Sequence, residues 1–254
     1  MLDDLAGKSV LIIGSSTGIG AAVARGFGRT GARVGVHYHS NREPAEAIVA
    51  DIKAAGGEAT LFSGDVTQRG VVERLVDEAA KTFGGLDVLI NNAGGMIRRA
   101  ELTEIDNDLY DQVLDLNVRP VVMACRATIP HFRQRGGGVI INTGSIAGRN
   151  GGGVGAALYA SSKAFIQNLT RNLAKEFAPH KVRVNAVAPG VIMTPFHERH
   201  TPPEMLEAFR QTIPMGRLGE PEECVGAYLF LASHAMSGYI TGQVIEVNGG
   251  QLMP

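Results

Sequence analysis

Only two cysteines occur in the chain, Cys125 and Cys224, and each stands alone in an apolar helical pattern. Isolated thiols of this kind read as buried and free, not as a disulfide or a metal site. The histidines His37, His39, His131, His180, His197, His200 and His234 show no metal-ligand spacing beside acidic or thiol partners, so no metal, and no catalytic zinc, is expected. An excess of one charge sign is missing too: the formal net charge is -1 and the basic residues are scattered. That removes any electrostatic case for nucleic acid as a partner. No apolar run reaches the length of a membrane span, so no membrane is expected as a partner. The start, Met-Leu-Asp-Asp-Leu, is acidic and lacks the layout of a signal peptide, which makes the cytoplasm the expected location. No Pro/Ser/Gly linker, charge block or internal repeat marks a second domain, and residues 1–254 read as one.

What is present is ordinary globular material, 44% hydrophobic and 19% charged in 254 residues, enough to bury a full core. Short apolar runs alternate with helical periodicity along the whole chain. Strands are expected at 8–13, 32–38, 58–62, 86–90, 138–142, 182–187 and 243–247. Helices are expected at 17–29, 43–55, 68–83, 106–135, 159–177 and 222–233. Strict alternation implies a parallel sheet with helices on both faces, and right-handed crossovers make it doubly wound. Two stretches break the rhythm. One is 149–155, which holds a triple glycine; the other is 194–215, rich in Pro, His and Glu. Both follow strand ends, where ligands sit in open α/β sheets, and the second is expected to close as a lid.

Gly14-Ser15-Ser16-Thr17-Gly18-Ile19-Gly20 joins the first strand to the first helix. Glycine lets a phosphate approach the backbone, and the helix N-terminus offers free N–H groups and a positive dipole end. That is a dinucleotide-binding turn. An acid at the end of the second strand would bind the ribose 2′-OH and repel a 2′-phosphate. Here the end reads His37-Tyr38-His39-Ser40-Asn41-Arg42, with no carboxylate before Glu43. NADP(H) is therefore favoured. NAD(H) stays open, because Arg42 can point into water and Thr17 stands where an arginine would strengthen the case.

Tyr159 and Lys163 are four apart and share one helix face, with Ser145 fourteen positions before the tyrosine. A neighbouring ammonium favours phenolate over phenol, and a serine hydroxyl can steady a carbonyl oxygen. Together they form an acid/base device for a proton on a substrate oxygen.

With these pieces in order, the chain resembles the short-chain dehydrogenase/reductase family from about residue 7 to 250. The resemblance is carried by Gly14-x-x-x-Gly18-x-Gly20, Asp65-Val66, Asn91-Asn92-Ala93-Gly94, Asn117, Ser145, Tyr159-x-x-x-Lys163, Pro189-Gly190 and Asn248-Gly249-Gly250. It implies a single-domain, Rossmann-type sheet of about seven strands and an NAD(P)(H)-dependent carbonyl/secondary-alcohol oxidoreductase. It implies that Asn117, Ser145, Tyr159 and Lys163 are catalytic, with Asn117 kinking its helix and holding a relay water. Asp65 and Val66 would meet the adenine. Asn91, Ala93 and Gly94 would line the cofactor's path. Pro189, Val191 and Thr194 would border the nicotinamide, with Ile192 close by and Gly190 among the cofactor contacts. It also implies a homotetramer or homodimer, with the helices at 106–135 and 159–177 paired across one interface.

The substrate pocket is expected between 95–99, 146–155 and the segment after Thr194. Arg98, Arg99, Arg149, Asn150, His197 and Arg199 make that lining polar, where a steroid pocket would want more aliphatic and aromatic residues. The strings at 91–95, 143–148 and 213–217 look similar to bacterial keto-uronate reductases. A polar sugar, polyol or sugar-acid carbonyl is thus the expected substrate, held by Arg98, Arg149, Asn150 and His197. A 3-oxoacyl carrier-protein reductase is the alternative; it would want a basic docking patch, for which Arg133 and Arg135 are a poor substitute. A non-catalytic NADP(H)-binding sensor is the alternative of another class, and such a protein would have lost Tyr159 or Lys163.

Overall fold

The computed structural model describes residues 2–254. Its first half runs β1 (Ser9–Ile13), α1 (Gly18–Arg29), β2 (Arg33–Tyr38), α2 (Arg42–Ala54), β3 (Glu58–Ser63), α3 (Val71–Phe83), β4 (Val88–Asn91), α4 (Asn107–Asn117) and α5 (Arg119–Arg135). The second half runs β5 (Gly138–Thr143), α6 (Ala147–Asn150), α7 (Ala157–Phe177), β6 (Val182–Pro189), α8 (Pro195–His200), α9 (Pro203–Thr212), α10 (Pro221–Ala232), α11 (His234–Ser237) and β7 (Val244–Val247). The strands form one parallel, seven-stranded sheet in the order β3-β2-β1-β4-β5-β6-β7.

The period of two along a strand divides the core. Val10 and Ile12 of β1 face one way and pack with Phe27, Ile48, Ile52, Tyr228 and Leu231 from α1, α2 and α10. Leu11 and Ile13 face the other way and pack with Leu75, Phe83, Phe132, Ile166 and Phe177 from α3, α5 and α7. Each such side chain contributes about 2 kcal/mol by leaving water. Because the chain runs from β1 out to β3 and then crosses back to β4, the strand order reverses between β1 and β4. A crevice opens there at the carboxyl ends of the strands.

Three stretches differ from what the apolar pattern alone gives, the first of them at the kink that the resemblance implies for Asn117. The helix expected over 106–135 is two helices, broken at Val118. Pro120 has no N–H for the carbonyl four residues back, and the buried Asn117 side chain takes over the Val113 carbonyl at 2.9 Å. The glycine-rich stretch after β5 first winds one helical turn, α6, before it loops. The stretch 194–215 is not plain loop but two helices, each begun by proline in its first turn, where a missing N–H costs nothing. Among the described residues, no helix is long and apolar enough to cross a membrane.

Candidate active site

One face of α7 carries Tyr159 and Lys163 into the crevice. The Lys163 ammonium lies 5.8 Å from the centre of the Tyr159 ring and donates to the Thr143 carbonyl at 2.9 Å. Ser145, just past β5, sets its hydroxyl within reach of the Tyr159 phenol. Gln167 Nε2 pins the Ser145 carbonyl at 2.7 Å. Thus β5 and α7 bring together the three residues that the sequence pairs only by spacing.

The electrostatics differ from expectation at one point. Burial pushes the Tyr159 pKa up, and the Ser145 hydroxyl offsets part of this. Lys163 is committed to the Thr143 carbonyl, and burial pushes its own pKa down to about 8. The tyrosine is therefore a protonated acid at neutral pH, not a phenolate prepared by the lysine.

Asn117 lies beside these groups without lining the cleft. Its Nδ2 donates to the Gly95 carbonyl at 2.8 Å and its Oδ1 accepts from the Gly95 N–H at 3.0 Å. This clamps the turn after β4. Only glycine fits at 94, since a Cβ there would sit 2.7 Å from Asn117 Oδ1 and 3.1 Å from Lys163 Nζ.

The cleft measures about 870 Å³, within the usual span of small-molecule sites. Gly14, Ser16, Thr17, Gly18, Ile19, His39, Asp65, Val66, Ala93, Gly94, Pro189, Gly190, Ile192 and Thr194 line it together with Ser145, Tyr159 and Lys163. These residues could hold a dinucleotide. Gly14 has φ +83, and a Cβ on it would stand 2.6 Å from the Ala93 backbone, so the turn accepts no side chain at this position.

Other expected contacts fall outside the wall. Gly20 is buried in the first turn of α1. Asn91 is buried in the sheet, donating to Asn142 Oδ1 at 2.9 Å, which in turn donates to Thr170 Oγ1 at 2.9 Å. Ser40, Asn41 and Arg42 lie beyond the cleft rim, and Arg42 pairs with Glu46 one turn along α2 at 2.7 Å.

At the far end the lining includes Met96, Arg99, Asn150, Phe196, His197 and Phe209. Asn150 and His197 are where the sequence puts them. Arg98 and Arg149 are not. Arg98 is exposed, bonded to the Glu104 carbonyl at 3.2 Å and 3.7 Å from Asp106. Arg149 is drawn to Glu246 of β7 at 2.7 Å. Successive residues on a helical turn point about 100° apart, so α6 sends Asn150 to the cleft and Arg149 away from it.

Several lining residues escape the sequence reading. Phe196 stacks on Tyr159 with ring centres 5.4 Å apart; an apolar residue in a polar stretch was the available signal. Asn92 Nδ2 donates to the Gly14 carbonyl at 2.6 Å. His37 is buried beneath the glycine turn. Its Nδ1 accepts from the Gly14 N–H at 2.9 Å, so the proton sits on Nε2, which donates to the Gly64 carbonyl at 3.0 Å. Burial pushes this imidazole down to about 4 and keeps it neutral.

A family model described as enoyl-(acyl carrier protein) reductase matches residues 13–251. The chain is 41% identical over 256 residues to 3beta-hydroxysteroid dehydrogenase 1 of Eggerthella lenta, covering 100% of this chain and 97% of that one. It is 38% identical over 249 residues to a 3-oxoacyl-[acyl-carrier-protein] reductase of Synechocystis sp., covering 98% of both. Among solved structures, an NADH-dependent reductase A1-R′ responsible for alginate metabolism superposes with a TM-score of 0.91 at 44% identity, covering 99% of this chain and 100% of that one. That reductase has also been crystallised with NAD.

Proposed function

The chain belongs to the short-chain dehydrogenase/reductase family and is an oxidoreductase of hydroxyl and carbonyl groups with a nicotinamide cofactor; within that class we propose a polar sugar, polyol or sugar-acid substrate and a preference for NADP(H) over NAD(H). The observation that carries the reading is the convergence of Ser145, Tyr159 and Lys163 in one cleft with Arg99, Asn150 and His197.

When bound, the nicotinamide gives or takes the hydride. Ser145 holds the substrate oxygen. Tyr159 gives its proton to that oxygen in reduction and takes it back in oxidation. Its raised pKa suits the reductive direction, since the phenol stays protonated at neutral pH. Lys163 stabilises the phenolate as it forms. Asn117, whose amide is spent on the Gly95 and Val113 backbone, acts by keeping the turn at Gly94-Gly95 in place and not by holding a relay water. The helices α8 and α9 form the lid, with Phe196 excluding water above Tyr159.

For the cofactor, the end of β2 offers His39 and, nearby, Ser40 and Arg42, with no carboxylate to reject a 2′-phosphate. The Arg42–Glu46 pair is solvent-exposed and contributes little, so the guanidinium is available to a phosphate. On this point the reading differs from the A1-R′ reductase, which is NADH-dependent. We also assign a homotetramer, with the exposed Tyr110 of α4 and Phe165 of α7 covered at one interface.

The 3-oxoacyl carrier-protein reductase reading is favoured by the Synechocystis relative. Against it, Arg133 is engaged by His180 at 2.6 Å and Arg135 by Asp87 at 3.1 Å, so neither offers a free basic patch.

An activity panel with NADPH and NADH tests the proposal. Keto-uronates and keto-sugars are expected to exceed acetoacetyl thioesters and 3-oxosteroids in kcat/KM, with NADPH the better donor. The opposite order would replace the substrate reading. Tight dinucleotide binding with no turnover of any carbonyl would instead make the protein a sensor.

A further inference from the structure

Apart from Lys163, Arg99 is the cation in the cleft wall that no anion compensates. Its Nε donates to the His200 carbonyl at 2.8 Å and its Nη1 to the Val154 carbonyl at 2.9 Å. These use two of the five N–H groups that a guanidinium carries. Among the described residues no carboxylate reaches it, whereas Arg98 and Arg149 face Asp106 and Glu246. Burial pushes the Arg99 pKa down with nothing to raise it again. A half-buried cation without a counter-ion is costly, and a bound anion would relieve that cost.

The same cleft contains a second unmet demand, this time for a donor. Gln251 and Thr212 both line it. Gln251 Nε2 donates to Thr212 Oγ1 at 2.8 Å, and the Gln251 Oε1 is buried with no hydrogen-bond partner. A buried amide carbonyl left unpaired costs free energy, and a small turn of the Gln251 side chain toward the cleft would let a ligand hydroxyl recover it.

We propose that Arg99 is the counter-ion of a substrate carboxylate and that Gln251 accepts a hydrogen bond from a substrate hydroxyl. The cleft thereby selects hydroxylated keto acids over neutral carbonyl compounds. This inference rests on the carbonyl-reductase reading of the site and narrows its substrate class. Arg99 also ties the end of α8 to the turn at Val154, and α8 carries Phe196 over Tyr159. The residue that reads the carboxylate is thus bonded to the segment covering the reacting oxygen. A guanidinium keeps its charge at every working pH and grips a carboxylate through two parallel bonds, which an ammonium cannot do.

The test compares a keto-uronate with its methyl ester, which lacks the negative charge and is larger by one methyl group. Wild-type enzyme is expected to favour the free acid in kcat/KM by about tenfold or more, carried mainly by KM. In Arg99→Met the acid-to-ester ratio falls to about one; in Arg99→Lys it lies between. Gln251→Leu raises KM for the hydroxylated acid but not for its deoxy analogue. A purely structural strap would lower acid and ester rates alike and leave the ratio unchanged, and that result overturns the proposal. Equal use of acid and ester by the wild type overturns it too. If the wild type reduces neither, the substrate reading fails first, and the thermal shift of the NADP⁺ complex with glucuronate against methyl glucuronate decides on Arg99. Stabilisation by glucuronate that Arg99→Met abolishes upholds the anion site; stabilisation that survives in the variant ends it.

Discussion

Lys163 occupies a position where it lowers stability. Its ordinary pKa of 10.5 falls to about 8 because burial disfavours the ammonium. The folded chain therefore releases this proton earlier than the unfolded chain, which holds it up to about 10.5. Between those limits the unfolded state binds more protons, so stability rises with pH; below about 8 the full penalty applies. The penalty is about 3 kcal/mol, reduced by the bond to the Thr143 carbonyl. Lys163→Met is accordingly expected to melt above the wild type at pH 7 while losing turnover, with the gap narrowing toward pH 10. Thermal unfolding at the two pH values checks this, and a gap that stays constant would contradict the assignment. The Tyr159/Lys163 pair is legible in the sequence, because a spacing of four on a helix fixes a shared face. The lysine's commitment to Thr143 is not, since it depends on how β5 meets α7. Arg98 and Arg149 misled for the opposite reason: each turns to a carboxylate, Asp106 for the loop residue Arg98 and Glu246 of β7 for Arg149 on α6, and neither pairing shows in a local pattern.

Among the elements, β2 does more than lie beside β1. His37 on it bonds at once to the turn after β1 and to the turn after β3. The two turns carry Gly14 to Gly18 and Asp65 to Val66, so their separation sets the width of that end of the cleft, where we propose that the adenosine lies. His37→Leu, which can make neither bond, is expected to raise KM for the dinucleotide about tenfold with a much smaller change in kcat. His37→Gln, which offers an acceptor and a donor on a side chain of similar reach, should restore most of it. A leucine variant with unchanged cofactor KM would show that the two turns hold themselves. The boundaries of α1, α3 and α7 follow closely from the period of their apolar residues. Those of α8 and α9 do not, because neither helix buries a residue to anchor a pattern. Their starts are marked instead by Pro195 and Pro203, which read equally well as loop punctuation. The break between α4 and α5 was legible only through the family resemblance at Asn117, and its cause lies partly in Pro120.

At the scale of the whole molecule, the alternation of apolar runs and helical periods is sufficient for a doubly wound sheet. It is silent on strand order, which arises from the crossover between β3 and β4 and puts the cleft at the β1/β4 boundary. That crossover is what lets distant parts of the chain converge: the glycine turn near the start, Ser145 and Tyr159 in the middle, and Gln251 near the end all line one space. The measurement that tests the account most directly is single-turnover reduction by Tyr159→Phe of the best substrate in the carbonyl panel, with NADPH affinity followed in parallel by fluorescence. The account predicts a fall of about a hundredfold to ten-thousandfold in the reduction step, with dinucleotide affinity changed by no more than a few-fold. A variant that reduces its substrate at close to the wild-type rate would contradict it.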